Sequence, residues 1–462
     1  MGSYDRGMST VEWANPPVDS VPKMVTASPG PRSDELHARM ERHQRGSYTP
    51  MVAMHPVAFE SGRGVVLRDV DGNEYIDFSS GIVITNLGHA HPRIAGAVGQ
   101  AMATLDNVHD FAHPLKVEAM ELLGSVTPPG MTLFTFFSSG TEAVEAAMRV
   151  ARAKTGKSAF FSFYNDFHGR TGAAASMSAA LVSNGMRDPG SVLVPSGHCY
   201  RSPLCSGGPD HAVCGIRNAN LLVDAMVQNA PGQVAGVVME LITNGNGATV
   251  YPESYVRRIA EICREHRVML VADEVATGMG RTGAWFASDH YDVVPDVLTM
   301  GKGLANGFPV TAIAVREEHA EALAASFPST SYGGNPMACA AIIEVVTIMK
   351  EEGLVEHCAD LGEFALSEMT ALAARHAIVG EVRGKGALLA IELVKDQETR
   401  EPFPEAGNLV YQEAFRHGVS WATAGHILRI TPPIVMSRQI FAKGLSIVED
   451  AITTVEKRLG YA

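Results

Sequence analysis

Short apolar runs alternate with helical stretches through the middle of the chain, from roughly Pro92 to Pro336. Several runs lack period-two alternation, which indicates strands buried on both faces, as in a parallel sheet covered by helices. The runs are Leu133–Phe137, Ala159–Phe163, Val234–Met239, Val268–Ala272 and Val294–Met300. The pattern predicts an α/β domain with a mostly parallel sheet.

The flanking segments have a different pattern. A short charged helix is expected near Ser33–Gln44, and the alternating run Gly64–Phe78 contains a hairpin turn signal at Val70–Asn73. After about residue 340 the helices lengthen, and Gly384–Leu393 and Ile427–Thr431 are predicted strands. We therefore predict an N-terminal arm and short helix at 1–45, a large domain at 92–338, and a smaller α+β domain built from 46–91 and 339–462.

Composition narrows the possible partners. The formal net charge of −13 argues against nucleic acid or an anionic membrane as a general partner, although a local anion pocket stays possible. No apolar run is long enough to span a membrane. Six cysteines in a chain of 462 residues do not make a disulfide framework, so we expect a cytoplasmic protein.

Polar clusters follow several of the apolar runs. In an open α/β sheet, ligands bind beyond the carboxyl ends of the strands, so these clusters are expected to converge. Ser138–Glu142 lies between a predicted strand and a predicted helix, where backbone N–H groups could bind a phosphate. An ordinary capped helix would give the same pattern, and there is no lysine of a nucleotide-binding P-loop.

Three further clusters carry candidate chemistry. Tyr164–Arg170 combines aromatic and basic residues, which could stack on a heterocycle or form an exposed loop. Asp273 directly follows a buried strand and needs a cationic partner, either a pyridinium nitrogen or a structural arginine. Lys302 stands between two glycines at the end of another buried run, where a neutral amine could form an imine, unless it is a surface lysine in a turn. The dinucleotide-like spacing of Gly278–Gly283 is discounted because no clear helix opens there.

Taken in order, the motifs resemble those of class III, or omega-amino-acid, aminotransferases, which are pyridoxal-5′-phosphate (PLP) enzymes of fold type I. The resemblance covers the chain from about Ser47 to its end, and the interval of 29 positions from Asp273 to Lys302 is also that of the family. The motifs are Ser139–Glu145, Phe167–Arg170, Asp273–Gly283, Gly301–Gly303 and Tyr332–Pro336.

The resemblance implies a fold and a set of cofactor contacts. The large domain would hold a seven-stranded, mostly parallel sheet between helices. Lys302 would hold PLP as a Schiff base and move the substrate proton, and Asp273 would pair with the pyridinium nitrogen. Phe167 and Val275 would cover the two ring faces, and Glu240 would lie near the phenolic oxygen. The full implied cofactor set is Ser139, Gly140, Thr141, Phe167, His168, Glu240, Asp273, Val275, Lys302 and Ser331.

The resemblance also implies substrates and assembly. Ser331 resembles the residue that reaches the phosphate of a neighbouring subunit, which implies a homodimer, possibly a tetramer, with shared active sites. Arg429, Arg170 and Ile82 are the expected substrate-binding residues, with Arg429 taking the carboxylate of the keto acid. The implied reaction is a ping-pong transfer from an omega-amino acid or primary amine to pyruvate or 2-oxoglutarate.

Departures from the family pattern limit the substrate assignment. In 4-aminobutyrate and ornithine aminotransferases a second acid pairs with the arginine that corresponds to Arg429, and the matching position here is Gly245. Ala276 replaces a common glutamine, and Ser331 a common threonine. The missing acid favours relatives that use alanine and pyruvate or amines.

Several alternatives stay open. His168–Ala175 and Val394–Pro402 also resemble segments of 2,2-dialkylglycine decarboxylases, and epimerases and amino-lyases share this fold. A scaffold without catalysis is the other rival, although it would not need Lys302 and Asp273. Cys199, Cys205 and Cys214 raise a zinc site, but they lack the short paired spacing of structural zinc, so we expect no metal.

Overall fold

The computed structural model describes residues 8–182, 185, 187–205, 211–245, 247–421 and 425–461. The chain divides into two compact units, one formed by Met1–Pro92 with Ile348–Ala462 and the other by Arg93–Thr347. No helix in the described part of the chain is both long and apolar enough to cross a membrane.

Strands in the described residues are numbered along the chain. They are β1 (Phe59–Arg63), β2 (Val66–Asp69), β3 (Glu74–Asp77), β4 (Met131–Phe137), β5 (Ala159–Phe163), β6 (Ser191–Val194), β7 (Val234–Met239), β8 (Met269–Asp273), β9 (Val297–Met300), β10 (Thr311–Arg316), β11 (Val379–Lys385), β12 (Leu388–Leu393), β13 (Val419–Ser420) and β14 (Ile427–Ile430).

The α-helices of the described residues are numbered in the same way. They are α1 (Thr10–Ala14), α2 (Pro31–Gln44), α3 (Pro50–Met54), α4 (Ser80–Val83), α5 (Pro92–Met102), α6 (Pro114–Gly124), α7 (Gly140–Thr155), α8 (Gly172–Ser176), α9 (Ala179–Val182), α10 (His211–Asn229), α11 (Glu253–His266), α12 (Ala320–Ser326), α13 (Pro336–Glu351), α14 (Leu354–Ala373), α15 (Pro404–Arg416) and α16 (Arg438–Leu459). Short 3₁₀ turns lie at Val18–Ser20, Ala287–Tyr291, Lys302–Ala305 and Glu317–His319.

The second unit is organised around a seven-stranded sheet of order β4-β10-β9-β8-β7-β5-β6. Neighbouring strands from β9 through β6 pair in parallel, while β10 runs antiparallel to both β4 and β9. Six strands therefore point the same way, and their carboxyl ends meet at one edge. The predicted mostly parallel seven-stranded sheet is confirmed.

Helix α7 packs one face on this sheet. Val144, Ala147, Met148 and Ala151 lie on that face and are fully buried in a core with strand residues such as Val238. The face is the one that the sequence pattern predicts, because apolar residues recur every three or four positions. The helix ends at Gly156, whose left-handed φ of 69° suits glycine. This packing fixes where the amino terminus of α7 lies relative to the strand ends.

The first unit holds two smaller sheets, of order β1-β2-β3-β13 and β11-β12-β14. The hairpin turn expected at Val70–Asn73 joins β2 to β3. The single strand predicted over Gly384–Leu393 is wrong in its bounds, because the chain reverses near Gly386 and pairs β11 with β12. Gly386 has a φ of 56°, a left-handed conformation that allows the tight turn.

Candidate active site

The junction of β4 and α7 forms a cup of backbone donors. Ser139 is the N-cap residue, and its extended backbone lets its side chain accept a hydrogen bond from Glu142 N at 3.4 Å. The Glu142 carboxylate in turn accepts from Ser138 N at 3.1 Å and from Ser139 Oγ at 2.9 Å. Gly140 and Thr141 therefore lie in the first helical turn, where N–H groups have no intrahelical acceptor and favour an anion.

The loop after β5 packs directly on this cup. A β-carbon at Gly169 would lie 2.6 Å from Thr141 Oγ1, so only glycine allows the approach. Thr141 Oγ1 also shares a hydrogen bond with Thr171 Oγ1. The exposed Arg170 guanidinium lies 5.5 Å from the centroid of the Phe167 ring. The motif Ser139–Glu145 is thus in contact with the motif Phe167–Arg170, although most of α7 and all of β5 lie between them in the sequence.

Asp273 ends β8 and is buried, yet it is held as an anion. Its Oδ1 accepts from Thr299 Oγ1 at 2.9 Å and from Val275 N at 3.1 Å, and its Oδ2 lies 2.7 Å from His168 Nδ1. Burial acts to raise the pKa of Asp273, but the hydrogen bond and charge of His168 outweigh it and the net pKa is lowered. Asp273 is therefore a negative charge at the edge where the strands end.

His168 is the cation that balances this charge. Burial acts to lower its pKa, but the carboxylates of Asp166 and Asp273, as acceptors and as negative charges, raise it to about 10. The doubly protonated ring then donates from Nδ1 to Asp273 and from Nε2 to Ser162 Oγ, at 2.9 Å. The structure thus makes His168 a positioning residue for Asp273, and its predicted direct contact with the cofactor stays a prediction.

Asp166 is another buried carboxylate beside His168, and the sequence analysis missed it. Its Oδ2 lies 3.7 Å from His168 Nε2 and accepts from Glu240 N at 3.1 Å, while its Oδ1 is buried without a hydrogen-bond partner among the described residues. Burial raises the pKa of Asp166 despite the hydrogen bond and charge of His168. The sequence did offer one indication of this role: Asp166 is a polar residue just after a predicted strand, two positions before His168.

Glu240 directly follows β7, the strand that pairs with the strand ending in Asp273. Its two oxygens accept from Phe167 N at 3.1 Å and from Asn244 N at 3.2 Å. Burial, followed by the charges of Asp166 and Asp273, raises the pKa of Glu240 to about 8, and His168 and Lys302 oppose that rise. Glu240 is accordingly neutral near pH 7.

Lys302 follows β9 and begins a 3₁₀ turn. Its φ of 46° is left-handed, which for a residue other than glycine costs roughly 1 kcal/mol and is found where the surroundings impose it. A β-carbon at the preceding Gly301 would lie 2.9 Å from Thr311 Cγ2 and 3.1 Å from Val275 Cγ1. One at Gly140 would lie 3.4 Å from the same Val275 methyl group. Val275 therefore packs between the cup and the segment that carries Lys302.

These residues fit PLP. The cup offers donors for a phosphate, Asp273 offers a permanent anion for a pyridinium, and Phe167 and Val275 offer apolar surfaces for a ring. A β-carbon at Gly169 would lie 2.6 Å from Thr141 Oγ1 and one at Gly301 would lie 2.9 Å from Thr311 Cγ2, so the chain packs closely at these two positions. The Ser139 hydroxyl is already engaged by Glu142, so its predicted phosphate contact would rest on its backbone N–H. Which residues contact the cofactor stays a prediction.

Ser331, Ile82 and Arg429 are the remaining predicted residues. Ser331 is exposed, and its carbonyl accepts from Asn107 Nδ2 at 2.7 Å. Ile82 lies in α4 with a φ of 67°, and Arg429 lies in β14 opposite Ala390; both belong to the first unit.

Position 245 has no room for a side chain, because a β-carbon there would lie 2.9 Å from Phe167 Cβ.

Other motifs have structural explanations. The Gly278–Gly283 segment forms turns, and no α-helix opens after it in the described chain before the 3₁₀ turn at Ala287. Glu274 accepts from Ala287 N and Ser288 N, both at 2.8 Å, and so anchors that turn. Cys205 and Cys214 form a disulfide that the sequence analysis did not predict.

Comparisons with known proteins agree on one family. The sequence profile described as "Aminotransferase class-III" matches residues 47–452. The chain is similar to a 4-aminobutyrate aminotransferase of Mycobacterium leprae, with 34% identity over 93% of this chain and 98% of the relative. It is also similar to an alanine/serine racemase of Pyrococcus horikoshii, with 31% identity over 93% and 92%. Among solved structures, an omega-transaminase from Pseudomonas jessenii in complex with PMP superposes with a TM-score of 0.84, at 28% identity over 92% of this chain and 96% of that one.

Proposed function

The chain belongs to the class III aminotransferases, which are PLP-dependent enzymes that transfer amino groups, and we propose that its donor is an omega-amino acid or a primary amine. The acceptor in this proposal is a 2-oxo acid, pyruvate or 2-oxoglutarate, and the two half-reactions share one site.

The observation that carries the proposal is the charged pair of Asp273 and His168 at the strand edge that also bears Lys302. When bound, PLP supplies an aldehyde for the amino group and a ring that withdraws electrons from the carbon bearing it. Asp273 would keep the ring nitrogen of bound PLP protonated, because the charge of Asp273 is maintained by His168 at 2.7 Å. Lys302 Nζ would take the proton from the substrate carbon and pass it to the cofactor, and in the second half-reaction it would carry a proton from the cofactor to the carbon of the acceptor.

The other residues orient and enclose the reactants. Gly140 and Thr141 would hold the phosphate at the first turn of α7, which would fix the cofactor without adding a cation. Neutral Glu240 lies close enough to Lys302 for the two to interact electrostatically and adds no charge to the site near pH 7. Arg170 and Arg429 are the candidate partners of a substrate carboxylate.

The donor preference rests on position 245. A carboxylate at this position in 4-aminobutyrate-type enzymes would neutralise the substrate arginine when no α-carboxylate is present. Here Gly245 supplies no carboxylate, and its contact with Phe167 leaves no space for one without a backbone shift. We therefore expect pyruvate with an amine or an omega-amino acid to be used better than 4-aminobutyrate with 2-oxoglutarate.

The test is a panel of donors assayed with each of the two acceptors on the full-length enzyme loaded with PLP. Donors such as 1-phenylethylamine, β-alanine and 4-aminobutyrate are scored by the amino acid formed, with Lys302→Ala as the control that cannot turn over. Formation of alanine or glutamate only with wild-type enzyme supports the proposal. Absence of product with every pair contradicts it.

A second candidate is racemisation or epimerisation, because the alanine/serine racemase relative matches nearly the whole chain. Chiral chromatography of L-alanine and L-isoleucine incubated without any 2-oxo acid distinguishes the two. Interconversion of enantiomers without an acceptor would favour the second candidate.

We further propose a cytoplasmic homodimer with shared sites. Phe111, Phe327 and Tyr332 are 78%, 78% and 68% exposed. Segment 107–110 hydrogen-bonds to Ser329 and Ser331, so these aromatic residues occupy neighbouring parts of one surface. Large exposed apolar side chains of this kind are typical of subunit contacts.

Mixed dimers test the sharing of sites. Chains carrying Lys302→Ala and chains carrying Ser331→Asp are each expected to be inactive or nearly so, the second because a carboxylate would repel the partner's bound phosphate. A dimer with one chain of each kind contains one site with both intact residues, so co-expression is expected to restore about half the activity per mixed dimer. No recovery in a verified mixed dimer would contradict a Ser331 contribution across the interface.

A further inference from the structure

Three cysteine sulfurs lie together beside the carboxyl end of β6, outside the site described above. Cys205 and Cys214 form a disulfide with a Cα–Cα distance of 5.4 Å. Cys199 Sγ lies 3.4 Å from Cys214 Sγ, and all three sulfurs are within 4.8 Å of one another. A disulfide needs only two cysteines, so the third thiol requires an explanation.

The surroundings place Cys214 at the centre of the group. It is buried in the first turns of α10, whereas Cys199 and Cys205 are partly exposed. Buried Asn218 donates through Nδ2 to Cys214 O at 2.9 Å, and the same amide nitrogen lies 3.3 Å from Cys214 Sγ and 3.7 Å from Cys205 Sγ. An N–H directed at sulfur stabilises the anionic form that a departing thiolate takes.

Asn218 is itself fixed. Its Oδ1 accepts from Ser202 Oγ at 2.8 Å, and the Ser202 carbonyl accepts from Cys205 N at 3.1 Å. Ser202 N in turn donates to His198 O at 2.9 Å, which closes a turn next to Cys199. The loop therefore holds both outer cysteines near the one sulfur of α10.

We propose that Cys199, Cys205 and Cys214 form a thiol–disulfide exchange site in which one disulfide moves between Cys205–Cys214 and Cys199–Cys214. The Cys199 thiol loses its proton to solvent, and its thiolate attacks Cys214 Sγ. The Cys199–Cys214 bond forms, the Cys205–Cys214 bond breaks, and Cys205 leaves with the electron pair and takes up a proton. No electrons are gained or lost in this exchange.

External thiols set whether the disulfide is present. A low-molecular-weight disulfide such as oxidised glutathione accepts the two electrons when two of these thiols are joined, and a dithiol returns them when the bond is reduced. The partly exposed Cys199 and Cys205 are the sulfurs that such molecules reach. This chemistry is separate from amino-group transfer and does not depend on the proposed substrates.

The loop that carries Cys199 also contacts the segment that precedes Asp166 and His168. Gly197 packs against the Tyr255 ring, where a β-carbon would lie 2.6 Å from a ring carbon. Ser196 Oγ accepts from Asn165 Nδ2 at 2.9 Å, and Asn165 directly precedes Asp166. A change of disulfide partner therefore acts on a loop that is hydrogen-bonded to the segment carrying Asp166 and His168.

Tryptic cleavage at Arg187, Arg201 and Arg217 separates the two linkages. Cys199 falls in peptide 188–201, while Cys205 and Cys214 share peptide 202–217. A Cys205–Cys214 bond leaves peptide 202–217 alone and about 2 Da lighter, whereas a Cys199–Cys214 bond joins the two peptides. The full-length holoenzyme is oxidised with glutathione disulfide at pH 8, alkylated with iodoacetamide, quenched with acid and mapped by mass spectrometry.

In the form with one disulfide, the expected label is divided between Cys199 and Cys205 and absent from Cys214. Label on Cys199 alone would show a fixed disulfide and overturn the exchange. Cys205→Ser is expected to give the joined peptides and Cys199→Ser to retain the light peptide. Cys214→Ser is expected to lose both linkages, and Cys358→Ser, at a buried cysteine elsewhere, to behave as wild type.

A metal-bound cluster is the other outcome with a clear signature. Three thiolates are ligands that Zn²⁺ accepts. About one zinc per chain in the reduced enzyme, lost in Cys214→Ser and protecting all three cysteines from alkylation, would overturn the exchange site in favour of a metal site. Unchanged melting temperatures of the three variants show that neither result comes from misfolding.

Discussion

Asp273 and Glu240 lie at the carboxyl ends of neighbouring parallel strands and are both buried, yet they carry different charges near pH 7. The pKa of Asp273 is lowered, whereas that of Glu240 is raised to about 8. Each accepts two hydrogen bonds from groups other than His168: Asp273 from Val275 N and Thr299 Oγ1, Glu240 from two backbone N–H groups. Burial and the number of neutral donors therefore do not explain the difference.

Two causes remain: the charges of Asp166 and Asp273, which raise the pKa of Glu240, and the contact of Asp273 with His168. Its imidazolium lies 2.7 Å from Asp273 Oδ2, while Glu240 receives only a longer-range attraction from the same ring. A charge-assisted hydrogen bond stabilises the ionised form far more than a neutral donor does. One cation placed beside one of two carboxylates thus produces a permanent anion and a neutral acid at the same sheet edge.

Removing the anion is expected to have the largest effect. Asp273→Asn leaves the protonated ring of the cofactor without its counter-charge, and it leaves His168 buried beside a neutral amide. The loss of one partner from a buried ion pair costs about 3–5 kcal/mol, so kcat/KM is expected to fall by about 150- to 5000-fold. Steady-state rates with the best donor from the panel measure this.

The matched control is Glu240→Gln, which changes an equally buried carboxylate to its amide on the next strand. If the two amides reduced kcat/KM equally, the charge difference between the two carboxylates would have no role in the reaction. Cofactor content is measured in both variants, because weaker retention of PLP would account for part of the loss in Asp273→Asn.

Much of this arrangement was predictable from the sequence. The strand before Asp273 is a buried run without alternation, so an acid at its end had to meet a cation. The mostly parallel sheet was predicted from similar apolar runs, whereas its seven strands were implied by the resemblance to the family. The predicted family is confirmed by the comparisons.

Other features of the site depend on three-dimensional contacts that no local sequence pattern predicts. Asp166 reaches His168 only because the loop after β5 turns back on the sheet, as the bond from Glu240 N to Asp166 shows. Gly245 was noted as a missing acid, but its contact with Phe167 appears only in three dimensions. The grouping of the three cysteines depends on α10 bringing Cys214 to the loop.

Replacing the cation tests the proposed cause directly. His168→Gln keeps a hydrogen-bond donor near Asp273 but removes the positive charge, so the pKa of Asp273 is expected to rise. Because Asp273 then takes up a proton at higher pH, the acid limb of the kcat/KM profile is expected to move to higher pH. For each pKa unit that the limb moves, which corresponds to about 1.4 kcal/mol, kcat/KM on the acid side of the limb is expected to fall about 10-fold.

The pH profile separates this effect from a structural one. A variant that is merely less stable would lower the activity at all pH values and leave the acid limb in place. An unshifted limb in a folded His168→Gln enzyme would show that another group maintains the charge of Asp273. Ser162→Ala removes the other hydrogen bond of the His168 ring and is expected to leave the limb near its wild-type position.

Glu240→Gln is expected to have the smallest effect on rate and to reveal the neutral state of Glu240. Since the amide resembles the protonated carboxyl, kcat/KM at pH 7 is expected to change less than about threefold.

The folded state holds a proton on Glu240 that the unfolded chain loses above its ordinary pKa of 4.5. The stability of the wild type therefore falls as the pH rises from 4.5 to about 8. The decline is about 1.4 kcal/mol per pH unit and levels off above the folded pKa. Melting temperatures of both proteins from pH 5.5 to 8.5 measure it, and the wild type is expected to lose stability relative to Glu240→Gln across that range. If the two curves stayed parallel, Glu240 would be ionised in the folded enzyme and the contrast with Asp273 would be wrong.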